Sequence, residues 1–421
     1  MSESGTERVC LVDDNDAALL WRLRIIQEAK REIVLTTFEL RDDVSGRAIM
    51  AALLEAAERN VTVRVLIDGA VGALRLHGSE NFKAFCACPN VEVKYYNPLK
   101  LNALWKINYR LHDKYLIADN TAYILGGRNT HDIYLGHFSQ NPQVDRELVV
   151  YEGQNAEAGS LYRLKKYFQE TWNLKDCEML TGISDESERK KRTDEMKEHL
   201  EELLLQYDYP IEEIDWYAET YETNGIALLT GEPTAKNKKP VLWTQMCQLM
   251  KTARKEVLIQ TPLIVYDSEM RNELSLLQKN TEKIEVFTNG VENWINVMAA
   301  GHPRQKKKLL EAGVDVSEYS SKKSFHTKTI LIDDAISIIG SYNMDLRSTY
   351  IDTEIMAVVD CPKLNADLKK KIQILREQGK TTRADGSELS GKYYQPAESS
   401  FGKKCCRAVF EILLYPFQYL L

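Results

Sequence analysis

Phe325-His326-Thr327-Lys328-Thr329-Ile330-Leu331-Ile332-Asp333 leads, a few residues later, into Gly340-Ser341-Tyr342-Asn343. The run Thr329 to Ile332 is β-branched and apolar and predicts a buried strand. Asp333 opens a turn, and Ile336-Ser337-Ile338-Ile339 forms a second strand ending at Gly340. Alternate side chains of an extended chain share a face, so His326 and Lys328 point the same way. One can attack a phosphorus while the other holds its oxygens.

The same order occurs earlier, as Leu111-His112-Asp113-Lys114, then Asp119, then Gly126-Gly127-Arg128-Asn129. A single His-x-Lys is common by chance; His-x-Lys-x4-Asp-x6-Gly-x2-Asn found twice is not. Two copies of one half-site imply one complete site. The flanks repeat as well: Ala253 to Gln260 parallels Ala29 to Thr36, and Ile284 to Gly290 parallels Val63 to Gly69.

Around the first copy, apolar spacing predicts helices over 16–30, 44–59 and 80–87, and strands over 33–38, 61–69 and 91–96. Alternating helices and strands predict α/β lobes with mixed sheets flanked by helices. We expect two pseudo-symmetric lobes, packed sheet edge to sheet edge around one shared cleft. The boundaries read as 1–175 for the first lobe, 176–215 for a charged helical connector, 216–379 for the second lobe and 380–421 for a loop and apolar tail. Within the connector, 185–206 is dense in Glu, Lys and Arg and predicts a solvated helix. Lys236 to Lys239 lie in a polar loop ahead of the second lobe.

A chain of 421 residues accommodates two such lobes, and its net charge of -7 argues against a broad nucleic-acid surface. The eight cysteines show no zinc-type spacing with histidine, which fits a reduced cytoplasmic chain. Met1 to Arg8 lacks the apolar core of a signal peptide, so no export is expected. The tail joins Lys403-Lys404-Cys405-Cys406-Arg407 to an apolar, aromatic run, 408–421, too short to span a bilayer. It suits either a membrane interface or the protein's own core.

Phosphodiester cleavage needs a nucleophile, a proton for the leaving oxygen and stabilisation of charge on the non-bridging oxygens. Two histidines divide the first two tasks, through a phosphohistidine, and need neither metal nor cofactor. Lys114, Lys328, Asn129 and Asn343 would surround the phosphoryl oxygens, with a hydroxyl from Ser341. Acids recur downstream, as Asp145-Arg146-Glu147 and Asp352-Thr353-Glu354, and we assign Glu147 and Glu354 to orient the histidines. Asp119 and Asp333, each between two apolar runs, read as turn-formers.

These motifs resemble the phospholipase D superfamily, and more narrowly its bacterial cardiolipin synthases of the C-type branch. The resemblance extends to Asn108-Tyr109-Arg110-Leu111-His112, Thr288-Asn289, Leu309 to Val314, Gly340 to Ser348 and the tail around Pro416. It implies two phospholipase D-like lobes and transfer of a phosphatidyl group to phosphatidylglycerol. The donor, phosphatidylglycerol or phosphatidylethanolamine, stays open, and the chain would sit peripherally on the inner face of the cell membrane. Gly127 stands where the superfamily often has Ser, which suggests unequal half-sites. Precedent in the superfamily favours His112 as nucleophile, leaving His326 for acid/base work. The alternatives are a hydrolytic phospholipase D or nuclease and, from another class, a non-catalytic membrane scaffold.

Overall fold

The computed structural model describes residues 7–153, 159–207, 213–291, 301–321 and 323–395. The apolar tail considered above lies outside the described residues.

Two nine-stranded mixed sheets form the frame. The first contains β1 (Arg8–Val12), β2 (Glu32–Thr37), β3 (Thr62–Asp68), β4 (Val91–Tyr96), β5 (Tyr115–Ala118), β6 (Ala122–Gly126), β7 (Glu147–Tyr151), β8 (Cys177–Met179) and β9 (Tyr221–Glu222). Their order is β8-β4-β3-β2-β5-β6-β7-β1-β9. The second contains β10 (Gly225–Thr230), β11 (Glu256–Gln260), β12 (Lys283–Asn289), β13 (Asp315–Tyr319), β14 (Thr329–Ile332), β15 (Ile336–Gly340), β16 (Ile355–Asp360), β17 (Gly379–Thr382) and β18 (Glu388–Ser390). Read in reverse, its order is β18-β17-β13-β12-β11-β14-β15-β16-β10, and the eight strands from β17 to β10 match the first sheet's β8 to β1 strand for strand. In each, three parallel strands adjoin the antiparallel hairpin that follows a His-x-Lys.

The lobes meet face to face rather than edge to edge. Alternate residues of each sheet enter one common core: Val34, Leu66, Ile117 and Leu125 from the first, Leu258, Phe287, Leu331 and Ile339 from the second. Helices Ser160–Trp172 and Pro362–Arg376 complete this layer with Leu164, Phe168, Leu368 and Ile372. Each fully buried large apolar side chain contributes roughly 1.5–3 kcal/mol, so the shared layer favours lobes that fold as one unit. Each sheet's other face is covered by its own lobe's helices.

Two segments differ from expectation. The charged helix, Glu186–Gln206, is docked on the first lobe, because Met196, Leu200 and Leu203 share one side and pack in its outer core. Residues 380–390, expected to begin a loop, lie in the β17–β18 hairpin. Thr381 and Thr382 favour the strand, and Asp385-Gly386, with Gly386 at φ +85°, makes the turn.

Candidate active site

Each motif sits on the extended lead-in to a hairpin, since β5 and β14 begin just after Lys114 and Lys328. The residue before each histidine bridges to the opposite lobe, Leu111 to Thr353 and Phe325 to Val144. His326 N donates to Val144 O at 2.7 Å, and His112 N to Thr353 Oγ1 at 3.1 Å. Behind them stand two buried groups that end matching strands. Asp68 accepts from Leu111 N at 3.0 Å, and Asn289 both accepts from Phe325 N and donates to Phe325 O. Both lay in strands read from the sequence; Asn289 belonged to the stretches that carried the family resemblance, whereas Asp68 carried no motif signal.

The bridges exchange carboxylates between the lobes. His112 Nδ1 lies 2.8 Å from Glu354 Oε1, and His326 Nδ1 lies 2.7 Å from Asp145 Oδ2. Engaging Nδ1 leaves Nε2 as the ring nitrogen for chemistry, and that of His326 lies 2.9 Å from Lys328 Nζ. Glu147, assigned to a histidine from the sequence, instead grips Arg22 with both oxygens, at 2.8 and 2.5 Å. The acids correspond differently from their order in the sequence. β6 pairs Gly126 with Glu147, whereas β15 pairs Gly340 with Met356, so Asp145 is the counterpart of Glu354.

Ser341 is also engaged elsewhere than expected. Its hydroxyl donates to Glu354 Oε2, and Ser348 Oγ donates to Glu354 Oε1 at 2.6 Å, so it serves the carboxylate rather than standing free for a phosphoryl group. At the matching position, a Cβ on Gly127 would lie 2.4 Å from Asp145 Oδ1. The missing side chain makes room for the acid.

Lys114 and Lys328 are buried, and each Nζ donates to the carbonyl of its own motif histidine. Asn129 and Asn343 each bury an Oδ1 with no hydrogen-bond partner among the described residues. Phe38 and Tyr134 pack against the rings of His112 and His326 with centroids 5.3 and 5.2 Å apart. Lys238, from the polar loop, donates to Asp352 O at 2.7 Å. Asp119 and Asp333 lie at the far ends of β5 and β14, at φ +54° and +50°. They accept backbone N–H groups from 30–32 and 254–256.

Burial lowers the proton affinity of His112, assisted by the charges of Lys114 and Lys328. His326 is lowered to about 3 by burial and then by Lys328, with Lys114 also contributing. Each histidine thus feels the lysines of both motifs, which marks one shared pocket. Burial also brings Lys114 down to about 8 and Lys328 to about 7. Asp145 is lowered: burial opposes its charge, but His326, Lys328 and Arg128 together outweigh it. Glu354 is raised by burial. The pocket therefore favours neutral imidazoles, and the charge that Lys114 and Lys328 retain favours an anion.

Comparison with known proteins agrees with this architecture. The family described as "Cardiolipin synthase, PLD-like domain" matches the chain twice, over residues 23–172 and 246–376. The chain is 26% identical to cardiolipin synthase C of Escherichia coli over 395 residues, covering 83% of this chain and 80% of that protein. Cardiolipin synthase 1 of Bacillus cereus is 26% identical over 366 residues, covering 86% of this chain and 65% of that one. Phosphatidylserine synthase of Haemophilus influenzae shares the fold, with a TM-score of 0.66 at 14% identity over 98% of this chain and 95% of its own. The two lobes and their paired motifs define a phospholipase D-type enzyme. Within that class, the chain belongs to the cardiolipin synthase PLD-like family, whose relatives support a phospholipid transferase. Among the described residues, no helix is long and apolar enough to cross a membrane.

Proposed function

We propose that this chain transfers a phosphatidyl group to a hydroxyl of phosphatidylglycerol through a phosphohistidine on His112. The observation that carries the reading is the pair of histidines, each held at Nδ1 by a carboxylate of the opposite lobe and each beside a buried lysine. Neutral His112 Nε2 attacks phosphorus, the bond to the leaving alcohol breaks, and cationic His326 gives that alcohol its proton. The phosphatidylglycerol hydroxyl then attacks the phosphohistidine, His326 takes the proton back, and the P–N bond breaks.

His326 must be charged for the first step, although burial disfavours it. An arriving phosphodiester anion offsets the lysine charges, and Asp145, held ionised, stabilises the imidazolium. Glu354, which spreads its oxygens over Ser341 and Ser348, gives His112 less support as a cation and suits it to attack.

Trapping the enzyme with phosphorus-labelled phosphatidylglycerol should place the label on His112 and yield cardiolipin. His112→Ala should abolish both label and product. Label on His326 would reverse the roles, and phosphatidic acid as the sole product would establish hydrolysis. With each candidate donor, the alcohol released, glycerol or ethanolamine, identifies which lipid is used.

A further inference from the structure

Just before the first motif, apolar side chains face water in a density that folding does not explain. Leu101 is 93% exposed, Trp105 72%, Leu104 57%, Leu99 54% and Ile107 42%. Leu101, Leu104 and Trp105 ride on a short helical turn, Leu101–Lys106, that contributes no buried residue, and Leu99 and Ile107 flank it. Yet the segment is firmly mounted. Asn97 donates to the carbonyls of Lys106 and Tyr109 at 2.8 and 2.9 Å, and Lys106 pairs with Asp176.

Its far end is wired to the active site. Arg347 donates to Asn108 O at 3.0 Å and to Asp352 at 3.1 Å; Thr353 N donates to Arg110 O at 3.0 Å. The residues that follow the exposed turn are thus held against the segment that supplies Glu354 to His112 just ahead of β16.

We infer that residues 99–107 form a membrane-docking element, whose leucines and Trp105 enter the acyl boundary of a phospholipid bilayer beside the site. This rests on the reading above that the substrate is a bilayer lipid. Size favours a bilayer over a protein partner: five apolar side chains on nine residues fall far short of the roughly 20–30 residues a side of a stable protein interface. They suit insertion by about 5–10 Å into the headgroup and acyl boundary, where tryptophan is favoured. Lys100 and Lys106, paired with Glu178 and Asp176 at the base, bring little net charge, so insertion is driven mainly by apolar area.

The test uses the full chain and phosphatidylglycerol vesicles with brominated acyl chains. Bromine should quench part of the tryptophan emission of the wild type, and Trp105→Phe should lose that part. Leu101→Glu with Leu104→Glu should weaken vesicle partitioning by at least about tenfold, with the thermal melt unchanged. Equal fractional quenching in Trp105→Phe would overturn the inference. So would a concentration-dependent dimer, seen by light scattering, that the Leu101→Glu/Leu104→Glu variant dissolves, since a second copy would then be the occupant. The quench needs no turnover. A wild type that is quenched through Trp105 but makes no transfer product would sink the functional reading and leave the docking element standing.

Discussion

Asp145→Asn is the sharpest probe of the site, because it separates the carboxylate that geometry assigns to His326 from the one the sequence suggests. Asp145 Oδ2 meets His326 Nδ1 at 2.7 Å, and Asp145 Oδ1 accepts from Arg146 N at 2.7 Å. Asparagine keeps the shape and one acceptor but removes the charge facing the imidazolium. A hydrogen bond to a charged group contributes about 1.5–3 kcal/mol, and each 1.36 kcal/mol is tenfold in rate. We therefore expect kcat to fall by roughly ten- to a hundredfold.

The companion variant is Glu147→Gln. It weakens a buried two-pronged ion pair with Arg22 and should lower stability by roughly 1–3 kcal/mol, with a smaller effect on kcat than Asp145→Asn. The assay is cardiolipin formation in mixed micelles, followed by lipid mass spectrometry, beside a thermal melt of each variant. An Asp145→Asn enzyme within threefold of wild type, together with a Glu147→Gln enzyme that melts normally but turns over slowly, would refute the exchanged-carboxylate geometry.

Further outcomes follow from the same structure. Gly127→Ser puts a Cβ 2.4 Å from Asp145 Oδ1, so it should displace the acid and cut turnover at least as far as Asp145→Asn, with a lowered melting temperature; activity and melt together check this. Lys114→Ala or Lys328→Ala should cost roughly a hundred- to thousandfold in kcat, the loss expected for one charge-stabilising donor, and wild-type rates would move the pocket elsewhere. Asp345 is raised by burial to about 7 and caps a short helix through Ser348 N at 2.8 Å, a task asparagine also performs. Its folded proton affinity exceeds the unfolded one, so its contribution to stability is complete below about pH 4 and is lost as pH rises to about 7. The melting temperature of Asp345→Asn relative to wild type should therefore climb across that window and level off above it; a flat difference would refute the burial argument.

The order of elements was legible because it is written twice. Helical spacing in 16–30 and 44–59 and β-branched runs at 33–38, 63–68 and 329–332 each specify their element locally, and the matching flanks confirm one another. The carboxylates were not legible. Asp145-Arg146-Glu147 and Asp352-Thr353-Glu354 align acid on acid, but the true correspondence slips by two residues, which hydrogen-bond register alone decides. A slip of two leaves the alternation of a strand unchanged, so no periodicity in the sequence reports it. Face-to-face packing was hidden for a similar reason. Strands buried on both faces read as continuous apolar runs and do not say which face meets its own helices and which meets the other lobe.

The two half-sites solve one steric problem in opposite ways. In the first, glycine at 127 gives up a side chain and admits a short acid, whose partners are His326 and a backbone N–H. In the second, Ser341 keeps its side chain, and a longer acid reaches His112 while accepting two serine hydroxyls. The short acid remains ionised and favours a charged imidazole; the longer one, raised by burial, favours a charged imidazole less. A symmetric pair would make both histidines equally ready to carry the proton, and neither would be reserved for attack. Replacing one serine by glycine across a duplicated motif breaks that tie, and because each acid comes from the opposite lobe, the distinction exists only when the lobes are packed together.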